Sequence, residues 1–265
     1  MYRRAAVATT FSPRFRAVLA EADRLAKLLD VPLDLIHADE RRPEKEGRFA
    51  TAMSELGLPA ESRVHFEPGE PVKSILSVQE RIGIDLLIAG ALEQESVHRN
   101  FTGNVARELL RRAACDLFLF VKPEETPAEL THVFVAIPNF SEHSRSTYQK
   151  GLNFSEKIGV PELTLLHVQT TFTEAKEKGK TTTEPPVEES LAEFVADCGS
   201  ETVRIDTHQV RGNTGFTACE YIQSAGADLL ILPSHSTKDK RPPFEPVLDW
   251  IIQVIPSNVW VIRER

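Results

Sequence analysis

A chain of 265 residues is long enough for two domains of ordinary size, each burying its own core. Its hydrophobic share of 41% and charged share of 26% are those of a soluble globular protein. A formal net charge of -8 and a pI near 5.6 argue against general affinity for nucleic acid or an anionic membrane, since both need a basic surface. The start, MYRRAAVATTF, carries no apolar run of signal-peptide or membrane-span length, so a cytoplasmic protein is expected. Three cysteines, Cys115, Cys198 and Cys219, lack metal-ligand spacing and suit a reducing compartment. Cys198 and Cys219 fall at helical spacing with apolar neighbours and are expected to be small core residues.

Ala5 to Thr9 is a short strand, and Ser12-Pro13 then offers an N-cap with proline at the first helical position. The helix runs to about Leu29, with Val18, Leu19, Ala22, Leu25 and Ala26 on its buried face. Leu33 to His37 is the next strand, Glu40 to Gly57 holds a short charged helix, and Arg63 to Glu67 is a third strand. After Gly69 a helix through Val72, Ile75, Leu76 and Ile82 leads to the apolar run Asp85 to Ala89, which ends at Gly90. So short a run, bounded by glycine, reads as a strand buried on both faces. A polar loop follows. From Gly103 the period changes, and Val105, Ala106, Leu109, Leu110 and Ala113 form one helix face, while Leu117 to Val121 is a fifth strand. Alternation of strand and helix throughout implies a parallel α/β sheet with helices on both faces.

The polar, proline-bearing segment 122–131 marks a linker between domains at 1–123 and 130–265. Beyond it the chain repeats itself. VATTFS at Val7 is matched by VAIPNFS at Val135, LDLIH at Leu33 by LTLLH at Leu163, and GIDLLIAG at Gly83 by GADLLILP at Gly226. One offset relates both His65 to His208 and Gly69 to Gly212, whereas His37 and His167 stand closer together. The difference places an insertion between the second and third strands of the second copy. The polar stretch 171–186 is the candidate for that insertion, as a mobile loop.

Gly90, Glu93, Gly103 and Asn104 stand at the spacing G-x2-G-x9-G-[ST]. On these residues, and on VATTFS where VATDFS or VAVDGS is usual, the chain resembles the universal stress protein family. Two of the four motif residue types match; Glu93 replaces a glycine, Asn104 a hydroxyl residue, and Thr10 an aspartate that the family places beside its nucleotide. The resemblance implies two tandem Rossmann-like domains of the adenine nucleotide alpha hydrolase-like type. Each would be a five-stranded parallel sheet of order 3-2-1-4-5, and the two would pair within the chain, with a homodimer as a further partner state. It also implies ATP or a related adenine nucleotide as ligand, with Ala38, after the second strand, near the adenine. Strands 1 and 4 would then open a crevice at their C-terminal ends. The candidate binding residues there are Thr9, Thr10, Phe11, Ala38, Gly90, Gly103, Asn104 and Val105. Free N–H groups at the start of the fourth helix would suit a phosphate; in the plainer reading Gly103 and Asn104 only start the helix, with Thr102 as cap.

In the second copy Glu245 and Pro246 stand where Gly103 and Asn104 do in the first, and Pro233 replaces Gly90. A carboxylate and a missing N–H donor remove the phosphate cradle, so this half is expected to be structural. Lys238, Lys240 and Arg241 make a small basic cluster, expected to be a solvated loop. No phosphate loop, dinucleotide glycine motif or nucleophile turn occurs. His37 and His167 read as core histidines, and no catalytic or metal residue is assigned. The expected function is a non-catalytic stress-response protein with a nucleotide in its first half. A nucleotide-free interaction scaffold and a slow ATP hydrolase are the alternatives.

Overall fold

The computed structural model describes residues 2–90, 104–170, 187–212, 216–237 and 242–264. The chain divides into two compact units, Met1–Glu129 and Leu130–Arg265. The first contains β1 (Ala5–Thr9), α1 (Phe15–Leu29), β2 (Leu33–His37), α2 (Pro43–Leu56), β3 (Val64–Phe66), α3 (Pro71–Ile82), β4 (Leu86–Gly90), α4 (Asn104–Arg112) and β5 (Asp116–Phe120). Its strands lie in the order β3-β2-β1-β4-β5, each parallel to its neighbour. Helix α1 packs with α2, and α3 with α4. Right-handed crossovers put these pairs on opposite faces, because the chain moves one way along the sheet from β1 through β2 to β3 and the other way from β3 through β4 to β5.

The second unit contains β6 (Val133–Ile137), α5 (Glu142–Ile158), β7 (Glu162–Thr170), α6 (Val187–Ala196), β8 (Arg204–Gly212), α7 (Phe216–Ser224), β9 (Leu229–Ser234), α8 (Pro246–Val254) and β10 (Asn258–Arg263). Its strands run β8-β7-β6-β9-β10, again parallel throughout. That is the first unit's connectivity repeated, as the internal sequence matches require. The proposed insertion at 171–186, with residues 91–103 of the loop motif and the basic cluster at 238–241, lies outside the described residues.

Strand burial follows composition. Leu86, Leu87 and Ile88 of β4 and Leu229, Leu230 and Ile231 of β9 are fully buried, as strands covered by helices on both faces must be. Each of these strands is preceded by an aspartate. Asp85 accepts hydrogen bonds from the backbone N–H groups of Arg3 (2.9 Å) and Arg4 (3.0 Å). Asp228 does the same for Thr131 (2.7 Å) and His132 (2.9 Å). Burial alone would raise both carboxyl pKa values, yet the backbone donors hold them below the ordinary range.

Several helix details depart from expectation. The α1 helix begins at Phe15 with no side-chain cap, and Ser12 contributes its backbone carbonyl to Phe15 N–H at 3.0 Å. The Ser12-Pro13 pair therefore makes a turn instead of a cap. The charged second helix is not short, since α2 runs for 14 residues. Val105 is 37% exposed while Ala106, Leu109, Leu110 and Ala113 are buried, because the first turn of α4 faces a cleft and not the sheet. Cys219 is a core residue, 1% exposed. Cys198 is half-buried, and its Sγ accepts from Gln149 Nε2 at 3.0 Å.

His37 ends β2 and His167 lies within β7, and both are buried. His37 donates from Nδ1 to the Thr9 carbonyl at 3.2 Å and sits among Phe11, Phe49 and Phe66. His167 stacks on Phe140 with ring centroids 4.8 Å apart. Burial pushes its pKa down to about 4, against a smaller opposing effect of the Pro138 carbonyl.

Two stability predictions follow from this packing. A Cβ at Gly151 of α5 would lie 2.7 Å from Val135 Cγ2 and 3.1 Å from Ile231 Cδ1, so overpacking of about 1–3 kcal/mol outweighs the helix-propensity gain of about 1 kcal/mol. Gly151→Ala is expected to lower the unfolding free energy in a urea titration. Gly47→Ala in α2, where nothing lies within 4 Å, is expected to raise it by roughly 0.5–1 kcal/mol. A stabilised Gly151→Ala protein would refute the tight helix–sheet contact.

The second prediction concerns pH. An unfolded histidine titrates near 6.5 and folded His167 near 4, so the unfolded chain binds more protons between those values and stability rises with pH across the window. The second unit is fully stabilised above pH 6.5 and loses about 3 kcal/mol as pH falls to 4. Urea melts at pH 7 and 4.5 should show this loss, and His167→Gln should shrink it. An undiminished pH slope in that variant would contradict the assignment.

Candidate functional site

In the first unit β1 and β4 are neighbours whose following connections leave to opposite faces, so their C-terminal ends part. A cleft of about 420 Å³ opens there, within the usual range for a small-molecule site. Its floor is formed by Ala8, Thr9, Ala89 and Gly90 at the strand ends, and its walls by Phe15 and Val18 of α1, Pro71 and Ile75 of α3, and Val105, Ala106 and Leu109 of α4. The polar groups are few: Thr10, Ser12, His37 and Asp39. Thr9 Oγ1 is engaged, donating to the Ile36 carbonyl at 2.9 Å.

Thr9, Thr10, Ala38, Gly90 and Val105 line this cleft, as the sequence suggests. Phe11 does not. Its ring packs against Phe15, His37 and Phe49, at centroid distances of 5.0, 4.8 and 4.9 Å, and the Arg48 guanidinium lies 3.8 Å above it. The aromatic cluster beneath α2 claims it, since a large apolar ring gains more by burial than by edging a polar rim. Asn104 opens α4, and its side chain, like the whole of Gly103, lies outside the described residues. Gly90 has a packing reason of its own, since a Cβ there would stand 2.8 Å from Val18 Cγ2.

The sequence reading missed Asp39, Pro71 and Ile75. Asp39 had a signal. In doubly wound sheets an acidic residue just past the second strand commonly faces the ligand, and Asp39 follows β2 by two positions. Its Oδ2 lies 2.5 Å from Lys45 Nζ, and its Oδ1 accepts from Glu40 N–H at 2.7 Å. The hydrogen bond from Lys45 holds the carboxyl below its ordinary pKa, with the Glu40 N–H acting in the same sense. Pro71 and Ile75 carried no local signal, because α3 reaches the cleft only through its crossover.

The equivalent crevice of the second unit is about 210 Å³ and is crossed by the protein's own hydrogen bonds. Glu245 precedes α8 and Pro246 is its first residue. Glu245 Oε1 is 3.2 Å from His235 Nε2, and Glu264 Oε2 is 3.4 Å from His235 Nδ1. Ser234 Oγ donates to the Pro243 carbonyl at 2.7 Å, while Arg263 Nη1 donates to Ser234 Oγ at 2.5 Å and to the His235 carbonyl at 3.2 Å. His143 Nε2 accepts from Ser234 N–H at 3.2 Å. Burial depresses the His143 pKa, which Glu264 partly offsets, in keeping with a neutral ring that takes this bond. Carboxylates line the place where the first unit has apolar side chains, and little room is left. Among the described residues no three histidine, cysteine or carboxylate side chains are grouped to hold a metal ion. No described helix is long and apolar enough to cross a membrane.

Comparison with known proteins agrees with this architecture. A functionally unknown protein from Pseudomonas aeruginosa PAO1 superposes with a TM-score of 0.74 at 15% identity, over 99% of this chain and 92% of that one. A universal stress protein from Archaeoglobus fulgidus DSM 4304 superposes with a TM-score of 0.71 at 15% identity, over 98% of both chains. At such identity these likenesses speak for the fold alone. No curated protein matches the sequence. The sequence model of the universal stress protein family matches residues 50–121 and again 130–263, more than half of the chain and one stretch in each unit. The chain therefore belongs to the universal stress protein family, with the family's fold present twice.

Proposed function

We propose that the first unit binds an adenine nucleotide, ATP or a relative of it, and that the chain acts in the cytoplasm as a non-catalytic stress-response protein. The observation that carries this reading is the contrast between the two crevices. The first is open, walled by apolar side chains that suit a planar base, and bordered by the N-terminal turn of α4. Free N–H groups at such a turn favour a phosphate. The second is half the size and lined by Glu245 and Glu264. One nucleotide per chain is therefore expected.

The absence of lysine and arginine among the described lining residues of the first cleft favours a second reading, a nucleotide-free interaction scaffold. Native mass spectrometry of freshly purified protein separates the two, because a bound nucleotide adds a defined mass. Calorimetric titration with Mg-ATP gives the firmer test. The wild type should bind one equivalent. Val105→Glu, which places an acid in the exposed first turn where the helix tolerates it, should bind at least about tenfold more weakly. No heat from the wild type, or equal affinities of the two proteins, would remove the nucleotide.

A further inference from the structure

We propose that Asp39 is a specificity-determining residue of the first cleft, selecting ligands that present two adjacent hydrogen-bond donors, in the first instance the vicinal hydroxyls of a ribose. The inference rests on the nucleotide reading above and narrows it. Asp39 is the single carboxylate among the described residues that line the cleft, and its side chain is half exposed. It is also held in place. Lys45 Nζ bonds one carboxylate oxygen and the Glu40 N–H the other, while the Asp39 N–H donates to the His37 carbonyl at 2.9 Å. Lys45 is itself fixed by a 3.2 Å bond to the Glu40 carbonyl. A carboxylate tethered at both its oxygens and at its backbone does not swing freely, so it offers a ligand a preset geometry.

An ionised carboxylate only accepts, and it has about four lone-pair sites. Lys45 and Glu40 use one site on each oxygen, which leaves one on each for a ligand. Two parallel donors are the complement of that pattern. A ribose diol supplies them, and so does a ring N–H next to an exocyclic amine, as in guanine. The Watson–Crick edge of adenine does not, because its donor stands beside a lone pair that would face the carboxylate. Position favours the diol, since acids just past the second strand of doubly wound sheets commonly bind sugar hydroxyls. Asp39 follows β2, two strands from β4, or about 10 Å from the mouth of α4 at ordinary strand spacing. A phosphate at that helix would be about a Debye length away, where salt weakens its repulsion by Asp39.

The test is calorimetric titration of the full chain with the Mg complexes of ATP, 2′-deoxy-ATP and GTP, for wild type and Asp39→Asn. The wild type should bind ATP about tenfold or more tightly over 2′-deoxy-ATP, the scale of one charge-assisted hydrogen bond. In Asp39→Asn that ratio should fall to within about twofold, with ATP itself weakened. A wild-type preference for GTP that Asp39→Asn abolishes would also support the proposal and would place the donor pair on the base. The ATP to 2′-deoxy-ATP ratio is read on the wild type, so it does not depend on how well the variant folds. Wild-type protein that binds all three equally, or an Asp39→Asn protein with unchanged affinities, would overturn the role of Asp39 while leaving nucleotide binding intact. Wild-type protein that binds none would overturn the reading beneath it as well.

Discussion

The carboxylates of Asp85 and Asp228 each tie the residue just before a fourth strand to the chain just before a first strand. Each aspartate accepts from two consecutive backbone N–H groups there, and its own N–H returns a bond to the carbonyl of Arg4 or His132, at 3.1 and 2.9 Å respectively. The loop closed is long, more than eighty residues in the first unit. Joining strands so distant in sequence carries a large entropic cost, which fixed reciprocal bonds at the strand starts help to offset. The register follows at once: Ala5 stands opposite Leu86, and Val133 opposite Leu229. A strand shifted by one residue would turn its apolar set to the wrong face and lose both bonds. With the N-terminal ends locked, only the C-terminal ends are free to part, and there each unit has its crevice.

One frame thus carries two different crevices, and the difference lies in a few side chains. At the end of β4 is Gly90, which lets Val18 of α1 approach so closely that a methyl group would collide. At the end of β9 the corresponding position is Pro233, and beyond it Ser234 and His235 are clasped by Pro243 and Arg263. In the first unit the opened space is edged by alanine, valine and leucine. In the second it is spanned by a histidine between two glutamates. Groups of opposite polarity satisfied within the protein leave little for a ligand to gain, since binding would have to replace hydrogen bonds already made.

Most of this frame could be read in the sequence, because the features involved are periodic or repeated. Leu86 to Ala89 and Leu229 to Leu232 announce buried strands, and the matched segments announce the duplication. The cleft was legible where its lining comes from strand ends, as at Thr9, Thr10, Ala38 and Gly90. It was not legible where a helix returns from a distance, as with Ile75 of α3, since nothing local says which turn of a crossover helix will meet the crevice. Phe11 was misplaced because sequence shows its neighbours along the chain and not Phe49 and Arg48, which come from α2. The Ser12 cap failed for a related reason. Serine before proline favours a cap, but here the chain makes a turn first and the helix starts at Phe15.

Duplication followed by divergence leaves the two units answering to different conditions. A ligand held by the first unit stabilises that unit by RT ln(1 + [L]/Kd), about 2.7 kcal/mol at a hundredfold excess over Kd. The second unit instead has a smaller crevice, crossed by the protein's own hydrogen bonds. Its response is to protons, because buried His167 resists protonation down to about pH 4. His37 has a depressed pKa as well, lowered first by burial, so the first unit shares the pH response in kind. The two copies keep the same strand order because Asp85 and Asp228 enforce it at one end of the sheet. They are free to differ in function because that constraint does not reach the other.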